Sequence, residues 1–194
     1  MNIRLLQAEE LENAAGLSRY VFDKCLRSRV EHEETLGYID AYLTAENLME
    51  LTQEEKLFVW GAFDGDILIA VSAMDVKGLI TMLYVLPQTF CKGIGTSLLQ
   101  TMKVYAKDNL GLEQVRANAT PPSMGYFFEK KGFQRLEETV DLNAPFMRLA
   151  CKFNVVNNVY PKRKVPKWVI LCGIFGCITF TVLIGCIFMA FYLF

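Results

Sequence analysis

A long apolar segment places the strongest limit on how this chain can fold. Residues 168–194 contain no charged side chain. About 20 apolar residues in a helix cross the hydrocarbon core of a bilayer, so the segment predicts one transmembrane helix over 168–190, with apolar character continuing to 194. A buried core helix is the alternative, but such helices are shorter and rarely apolar on every face. The apolar segment, 168–194, therefore indicates a membrane-anchored, single-pass protein.

The charges in front of the apolar segment predict its orientation. The basic linker, residues 156–167, contains four lysine and arginine side chains and no acid, whereas residues 1–155 carry the other 16 basic residues and all 21 acidic ones. Basic residues beside a span mark its cytoplasmic side. We therefore expect residues 1–155 to form a domain that faces the cytosol, and the basic linker to contact anionic membrane lipid. Beside a span, such a patch does not indicate nucleic-acid binding.

The cysteines do not indicate a disulfide framework or a metal site. The chain has six, three of them inside the apolar segment, where they behave as small apolar residues. Outside that segment no pair has the spacing of zinc ligands, and His32 is the single histidine. We expect reduced thiols, as in cytosolic proteins, and no metal.

Hydrophobic patterns in residues 1–155 predict a mixed α/β domain. The predicted order is β-α-α-β-β-β-α-β-α-β-β, with antiparallel pairing first and a crossover helix in the middle. Asp64-Gly65-Asp66 carries a hairpin signal, and Thr120 is predicted to cap a short helix that ends at Gly132. The predicted elements are strands at 2–6, 58–63, 67–73, 78–85, 114–119, 133–140 and 146–153, helices at 8–27, 38–51, 97–107 and 124–131, and a polar loop at 29–34.

A short loop with two glycines joins the strand at 78–85 to the helix that follows. This glycine loop, residues 86–96, contains Lys92, Gly93 and Gly95. Glycines permit a close approach of the backbone, the helix N-terminus adds a partial positive charge, and Lys92 adds a full one. The pattern favours a phosphorylated ligand, although a lone Gly-x-Gly also occurs in ordinary strand-to-helix turns.

Two motifs in this order resemble the GNAT superfamily of acetyl-CoA-dependent N-acetyltransferases. The first is Leu83-Tyr-Val-Leu-Pro87 followed by Lys92-Gly-Ile-Gly-Thr-Ser-Leu-Leu99, which is similar to the family's strand, turn and pyrophosphate loop. The second is Tyr126-Phe-Phe-Glu-Lys-Lys-Gly-Phe133, similar to the family's Phe-Tyr-Glu-Lys-x-Gly-Phe. The resemblance covers residues 3–153 and implies a GNAT-like mixed α/β sheet.

The resemblance implies acetyl-CoA as co-substrate and assigns residues to it. The strand would offer its edge to the pantetheine arm, and the glycine loop would hold the pyrophosphate on its amides. Thr96 would add a hydroxyl contact, and Asn118 would position substrate or a water. The implied cofactor-binding residues are Leu83, Tyr84, Val85, Cys91, Lys92, Gly93, Ile94, Gly95, Thr96 and Asn118.

The chain departs from the family pattern at two positions. Phe90 stands where the family has a polar Gln or Arg before the loop, so one contact to the pyrophosphate is lost. Phe128 replaces the tyrosine that often protonates the leaving thiolate. Tyr126 and Tyr84 are the candidate acids in its place, although Tyr126 lies about 200° around the helix from residue 128. The alternative is that both tyrosines only pack against their neighbours.

No carboxylate or histidine occurs in the strand that often supplies the base in this family. His32 and Glu34, in the polar loop, are the candidate bases that accept the proton of the amine. The imidazole of His32 suits this role because it titrates near neutral pH. A solvated charged loop is the alternative interpretation, with a chain of waters removing the proton and proximity supplying much of the rate.

Charge asymmetry bears on the acceptor. Residues 1–70 carry 14 acids against 6 bases, and residues 71–160 carry 10 bases against 7 acids. If the basic half holds the cofactor, the acidic half covers the acceptor site and attracts a cationic amine, small molecule or protein side chain. The alternative is an ordinary solvated acidic face. Small residues spaced by four in the apolar segment, such as Cys172 and Gly176, favour helix pairing and hence a homodimer. The alternative is that its glycines face lipid, as is common in membrane-spanning helices.

Two other functions fit the sequence. The motif departures suit an acyl-CoA-binding module that senses or scaffolds without turnover. Alternatively, the apolar segment is the functional element and the domain is carried by it.

Overall fold

One mixed sheet of seven strands forms the frame of the part of the chain that the computed structural model describes, residues 1–136 and 146–153. The sheet order is β1-β2-β3-β4-β5-β7-β6. All neighbouring pairs are antiparallel except β4 and β5, which are parallel. The strands are β1 (Asn2–Leu5), β2 (Leu57–Asp64), β3 (Ile67–Asp75), β4 (Leu79–Val85), β5 (Gln114–Ala119), β6 (Gln134–Arg135) and β7 (Met147–Lys152).

Five α-helices cover the two faces of this sheet. They are α1 (Leu11–Cys25), α2 (Glu33–Tyr42), α3 (Ala45–Gln53), α4 (Ile94–Asp108) and α5 (Gly125–Glu129). A parallel pair of strands needs a crossover, and α4 provides it between β4 and β5. The predicted mixed α/β sheet, with antiparallel pairing first and a crossover helix in the middle, is confirmed.

A separate hydrophobic cluster lies on each face of the sheet. One contains α4 with Trp60, Ile80 and Phe128, and the other contains α1 with Leu48 and Met82. Helix α1 buries the side chains at positions 11, 14, 15, 18, 21 and 22, which is the period of an amphipathic helix. Because β4 contributes Ile80 to one cluster and Met82 to the other, both of its faces are covered by protein.

The second predicted helix and the predicted polar loop were wrong in their boundaries. Helix α2 begins at Glu33, inside the predicted loop, and the region predicted as one helix is divided between α2 and α3. Acidic side chains at the first turn of α2 stabilise its start. At the division, the Thr44 hydroxyl accepts a hydrogen bond from the Asn47 amide at 3.2 Å and caps α3.

Three further predictions concern the end of the domain. The short turn Pro122–Met124 precedes α5. Pro121 occupies the N-cap position of this turn, and no side chain caps it, so the predicted cap at Thr120 was wrong. Strands β6 and β7 pair antiparallel as the predicted hairpin requires, while residues 137–145 lie outside the described residues. The basic linker and the apolar segment also lie outside them, and no helix in the described ranges is long and apolar enough to cross a membrane.

Candidate active site

Strands β4 and β5 separate soon after they begin. Their parallel pairing comprises only Leu79 with Arg116 and Ile80 with Ala117, whereas β5 then pairs along its whole length with β7. From Thr81 onward, no strand among the described residues covers this side of β4. An uncovered strand edge offers backbone N–H and C=O groups to an extended, amide-containing molecule.

The glycine loop follows this edge and exposes a run of backbone amides. Gly93, with φ of +81°, occupies the N-cap position of α4, and Cys91 has φ of +62°. Such left-handed residues turn successive N–H groups towards one side and form an anion-binding nest. Within the described part of the chain, none of the six amides from Cys91 to Thr96 donates a hydrogen bond, and the first helical bond runs from Ser97 to Gly93. These amides, at the N-terminus of a 15-residue helix, fit a pyrophosphate.

A cavity of about 940 Å³ connects the glycine loop, the free edge of β4 and a chamber between α1 and α2. At the loop it is lined by Gly93, Gly95 and Thr96, and the Phe127 ring closes one side. A Cβ atom on Gly95 would lie 3.6 Å from Cζ of Phe127 and 3.7 Å from Cγ2 of Val85, which is ordinary van der Waals contact, so the loop lies against these two side chains. The cavity therefore has one end suited to phosphate and another suited to a second substrate.

Helix α2 forms the wall of the chamber that faces β4. Glu34, Tyr38 and Tyr42, spaced by four, all line the cavity. Asp40, on the other side of the helix, joins α2 to α1: it accepts hydrogen bonds from Arg27 on its carboxylate, and Arg19 donates to its backbone oxygen at 2.6 Å. The Arg27 guanidinium lowers the pKa of the Asp40 carboxyl below its usual value. This connection fixes the chamber wall.

Two phenols and a hydroxyl meet where β4 leaves β5. Burial raises the pKa of Tyr42 to about 12, although the nearby Thr81 hydroxyl acts in the opposite direction. Burial, and to a lesser degree Tyr42, also raises the pKa of Tyr84 well above its ordinary value. The Thr81 hydroxyl is buried and close to the Tyr42 phenol, but it makes no hydrogen bond of regular geometry within the described residues. Both phenols are therefore protonated at neutral pH and able to donate.

One protein-family model matches most of this chain. The model of the acetyltransferase (GNAT) domain matches residues 16–144. The chain belongs to the GNAT acetyltransferase family. It is an acetyl-CoA-dependent acyltransferase, and acetyl-CoA is its co-substrate, as the sequence predicts.

Solved GNAT structures share this fold at low sequence identity. The PaiA N-acetyltransferase from Thermoplasma acidophilum, in complex with coenzyme A, is 22% identical with a TM-score of 0.65, over 79% of this chain and 100% of that one. A GNAT acetyltransferase from Staphylococcus aureus is 13% identical with a TM-score of 0.61, over 78% and 98%. A variant of the spermidine N-acetyltransferase SpeG from Vibrio cholerae is 16% identical with a TM-score of 0.53, over 78% and 95%. No curated protein matches the sequence.

Most of the predicted site residues of this GNAT domain line the cavity. They include the predicted acid Tyr84 and the predicted base Glu34, together with Asn118 at the end of β5. The loop and strand residues that line it are Leu83, Val85, Cys91, Gly93, Ile94, Gly95 and Thr96.

Three predicted residues do not line the cavity. The Tyr126 side chain is 62% exposed, and the Lys130 ammonium lies 4.4 Å from the centre of its ring. His32 is exposed at the N-cap of α2, where its side chain makes no capping hydrogen bond. Lys92 is exposed in the glycine loop, beside the nest.

The two departures from the GNAT pattern differ in their surroundings. Phe128 is buried, with its ring against Phe127 at 5.4 Å and Phe133 at 5.3 Å, so it belongs to the core. Phe90 is 49% exposed and lies on the cavity rim. A phenyl ring at this position offers no hydrogen-bond donor to an anion, in contrast to the backbone amides of the loop.

Sequence reasoning missed Tyr42 and Thr81. The spacing Glu34-Tyr38-Tyr42 marks one stripe of a helix, but the predicted helix began only at Tyr38 and so obscured it. For Thr81 no local signal exists, because its position depends on where β5 separates from β4. Within residues 1–136 and 146–153, no group of three or more metal-binding side chains occurs.

Proposed function

We propose that the protein transfers the acetyl group of acetyl-CoA to a primary amine by direct attack in a ternary complex. The observation that carries this proposal is the continuous cavity, which joins the amide nest to the free edge of β4 and then to a separate chamber. A cofactor arm along that edge and an amine in the chamber meet at Thr81, where β4 and β5 part.

The backbone positions the cofactor in this proposal. The amides of Cys91 to Thr96 hold the pyrophosphate, with Lys92 beside them, and the edge at Leu83–Val85 holds the arm. Acetyl-CoA supplies an acyl carbon that accepts the amine and a sulfur that leaves. Holding both reactants in one cavity supplies much of the rate, because attack becomes unimolecular.

Tyr42 is the proton donor to the leaving sulfur in this proposal. Its phenol lies beside Thr81, at the point where β4 leaves β5, and burial keeps this phenol protonated at neutral pH. Tyr84, the acid candidate of the strand itself, lies next to it and lines the same cavity. The products are the N-acetylated amine and the free thiol.

The chamber itself helps to produce a neutral amine. Glu34 is two helical turns from Tyr42, about 12 Å along the axis, so it lies towards the mouth. Apolar surroundings disfavour a charged amine and lower its pKa, which frees the attacking lone pair. The proton then leaves through water towards Glu34.

Thiol release by the full chain in detergent tests this function. With acetyl-CoA and a panel of primary amines, we expect release of free thiol in step with an acetylated amine detected by mass. Binding of acetyl-CoA without thiol release on any amine would contradict the proposal and favour the sensor alternative.

We also propose that the apolar segment anchors the enzyme to a membrane, with the domain on the cytosolic side. Its support is the uncharged stretch at 168–194 and the basic linker before it. The full chain should float with vesicles and resist carbonate extraction, whereas a chain ending at residue 160 should stay with the soluble fraction. Flotation of both, or of neither, would contradict the anchor.

A further inference from the structure

The chamber between α1 and α2 is lined by apolar and aromatic side chains. Its wall includes Val21, Phe22, Leu26, Ile39, Tyr42 and Leu43. Phe22 and Leu43 are 1% and 3% exposed, so the packing of the domain holds this surface in place. An apolar wall of this kind favours an apolar ligand.

Charge is scarce in the cavity although it is abundant in the sequence. Residues 1–70 carry 14 acids, but Glu34 is the only charged side chain among the described residues that line the cavity. Other acids of this region pair on the surface, as Asp23 and Asp40 do with Arg27. The acidic half of the chain therefore does not make an acidic chamber in the described part.

A ligand with several positive charges does not suit this wall. Each ammonium placed against apolar side chains loses its hydration, and one carboxylate at the mouth compensates for only one of them. An apolar body, by contrast, gains roughly fourfold in affinity for each methylene that it buries.

Building on the acetyl transfer proposed above, we propose that the acceptor is a monoamine whose amino group is carried on an apolar body of ring size. The apolar body packs between Leu26 and Ile39, which line the cavity and are only partly buried, and the amino group reaches Thr81 and the acyl carbon. Glu34 attracts the cation at the mouth before the amine enters. The nitrogen forms a bond to the acyl carbon as the carbon–sulfur bond breaks, and the leaving thiolate takes the proton of Tyr42. The proton that the nitrogen loses after attack passes through water and restores the Tyr42 phenol.

The first test compares three amines with the full chain in detergent and acetyl-CoA: 2-phenylethylamine, ethylamine and spermidine. We expect kcat/KM for 2-phenylethylamine to exceed that for each of the others by about 30-fold or more, since burying a ring gains about one to two orders of magnitude. Higher kcat/KM for spermidine would overturn the inference and leave the acetyltransferase function intact. Absence of thiol release with every amine of the panel would instead overturn the function.

The second test introduces a carboxylate at one of two positions in α2. Ile39→Asp places a carboxylate in the chamber and should lower kcat/KM for 2-phenylethylamine by at least 10-fold while raising it for spermidine. Leu36→Asp is the control, because Leu36 is a partly buried residue of the same helix that does not line the cavity. Equal losses for both amines in both variants would contradict a specificity role for the chamber.

A binding measurement keeps the inference testable if a variant fails to fold. Calorimetry on the unaltered chain with coenzyme A should detect binding of N-acetyl-2-phenylethylamine, and no binding of N-acetylspermidine at the same concentration. The reverse order of affinities would overturn the inference without reference to turnover.

Discussion

Replacing Tyr42 by phenylalanine lowers kcat for amine acetylation by about 10²- to 10³-fold, the range expected for loss of a general acid. The KM for acetyl-CoA should stay within about threefold, because the nest and the edge of β4 are untouched. Phenylalanine keeps the ring, which stacks on Tyr38 at a centroid distance of 6.1 Å, so the chamber wall remains. Only the phenolic proton beside Thr81 is lost.

Three controls and a pH profile separate this effect from a structural one. Tyr38→Phe alters the same stripe of α2 and Tyr126→Phe alters an exposed ring, so both should leave kcat nearly unchanged. Since the pKa of Tyr42 is raised to about 12, the phenol stays protonated through pH 10, and loss of acid catalysis should begin only above that. If Tyr84→Phe alone reproduces the full loss while Tyr42→Phe does not, the acid is Tyr84.

Replacing Gly93 by valine should weaken the binding of acetyl-CoA by about 10- to 100-fold. With φ of +81°, Gly93 occupies a backbone conformation that costs an L-residue about 1–2 kcal/mol, and more with a β-branched side chain. A change in backbone conformation at the start of α4 relieves this strain. The amides of the nest then no longer point towards one side. Calorimetry with acetyl-CoA gives the dissociation constant.

Gly111→Val is the matched control for Gly93→Val. Gly111 lies after the other end of α4 with φ of +65°, and a Cβ atom at either glycine meets nothing within 4 Å. Both variants therefore lose stability through backbone strain alone, but Gly111→Val should keep the wild-type affinity for acetyl-CoA. Equal weakening in the two variants would show that strain, and not the amide nest, governs binding.

The glycine loop was predictable because its chemistry is local. Glycines, a lysine and a helix start lie within a few residues, and their order alone indicates an anion site. The chamber was less predictable because α2 was assigned the wrong start, although Thr44 gave a capping signal that separates α2 from α3. A helix begun at Glu33 would have placed Tyr42 on the same stripe as Glu34.

The separation of β4 from β5 was not predictable from local pattern. Strand β4 is an apolar run and β5 alternates polar and apolar residues, but neither pattern marks the residue at which the two strands part. Along its whole length β5 is paired with β7, a strand some 30 residues further along. The meeting of Tyr42, Thr81 and Tyr84 follows from that separation, so no sequence motif announces it. The exposure of Tyr126 likewise depends on how the short helix α5 packs, with Phe128 and not Tyr126 turned towards the core.

Hydrogen exchange of the full chain in detergent, with and without acetyl-CoA, tests the central claim most directly. Peptide amides in Thr81–Val85 and in Cys91–Thr96 lack partners that slow exchange on the open side, so binding should protect both segments together. The hairpin of β2 and β3 away from the cavity should be unchanged. Protection confined to other segments, or no protection at the nest and the edge of β4, would contradict this placement of the cofactor.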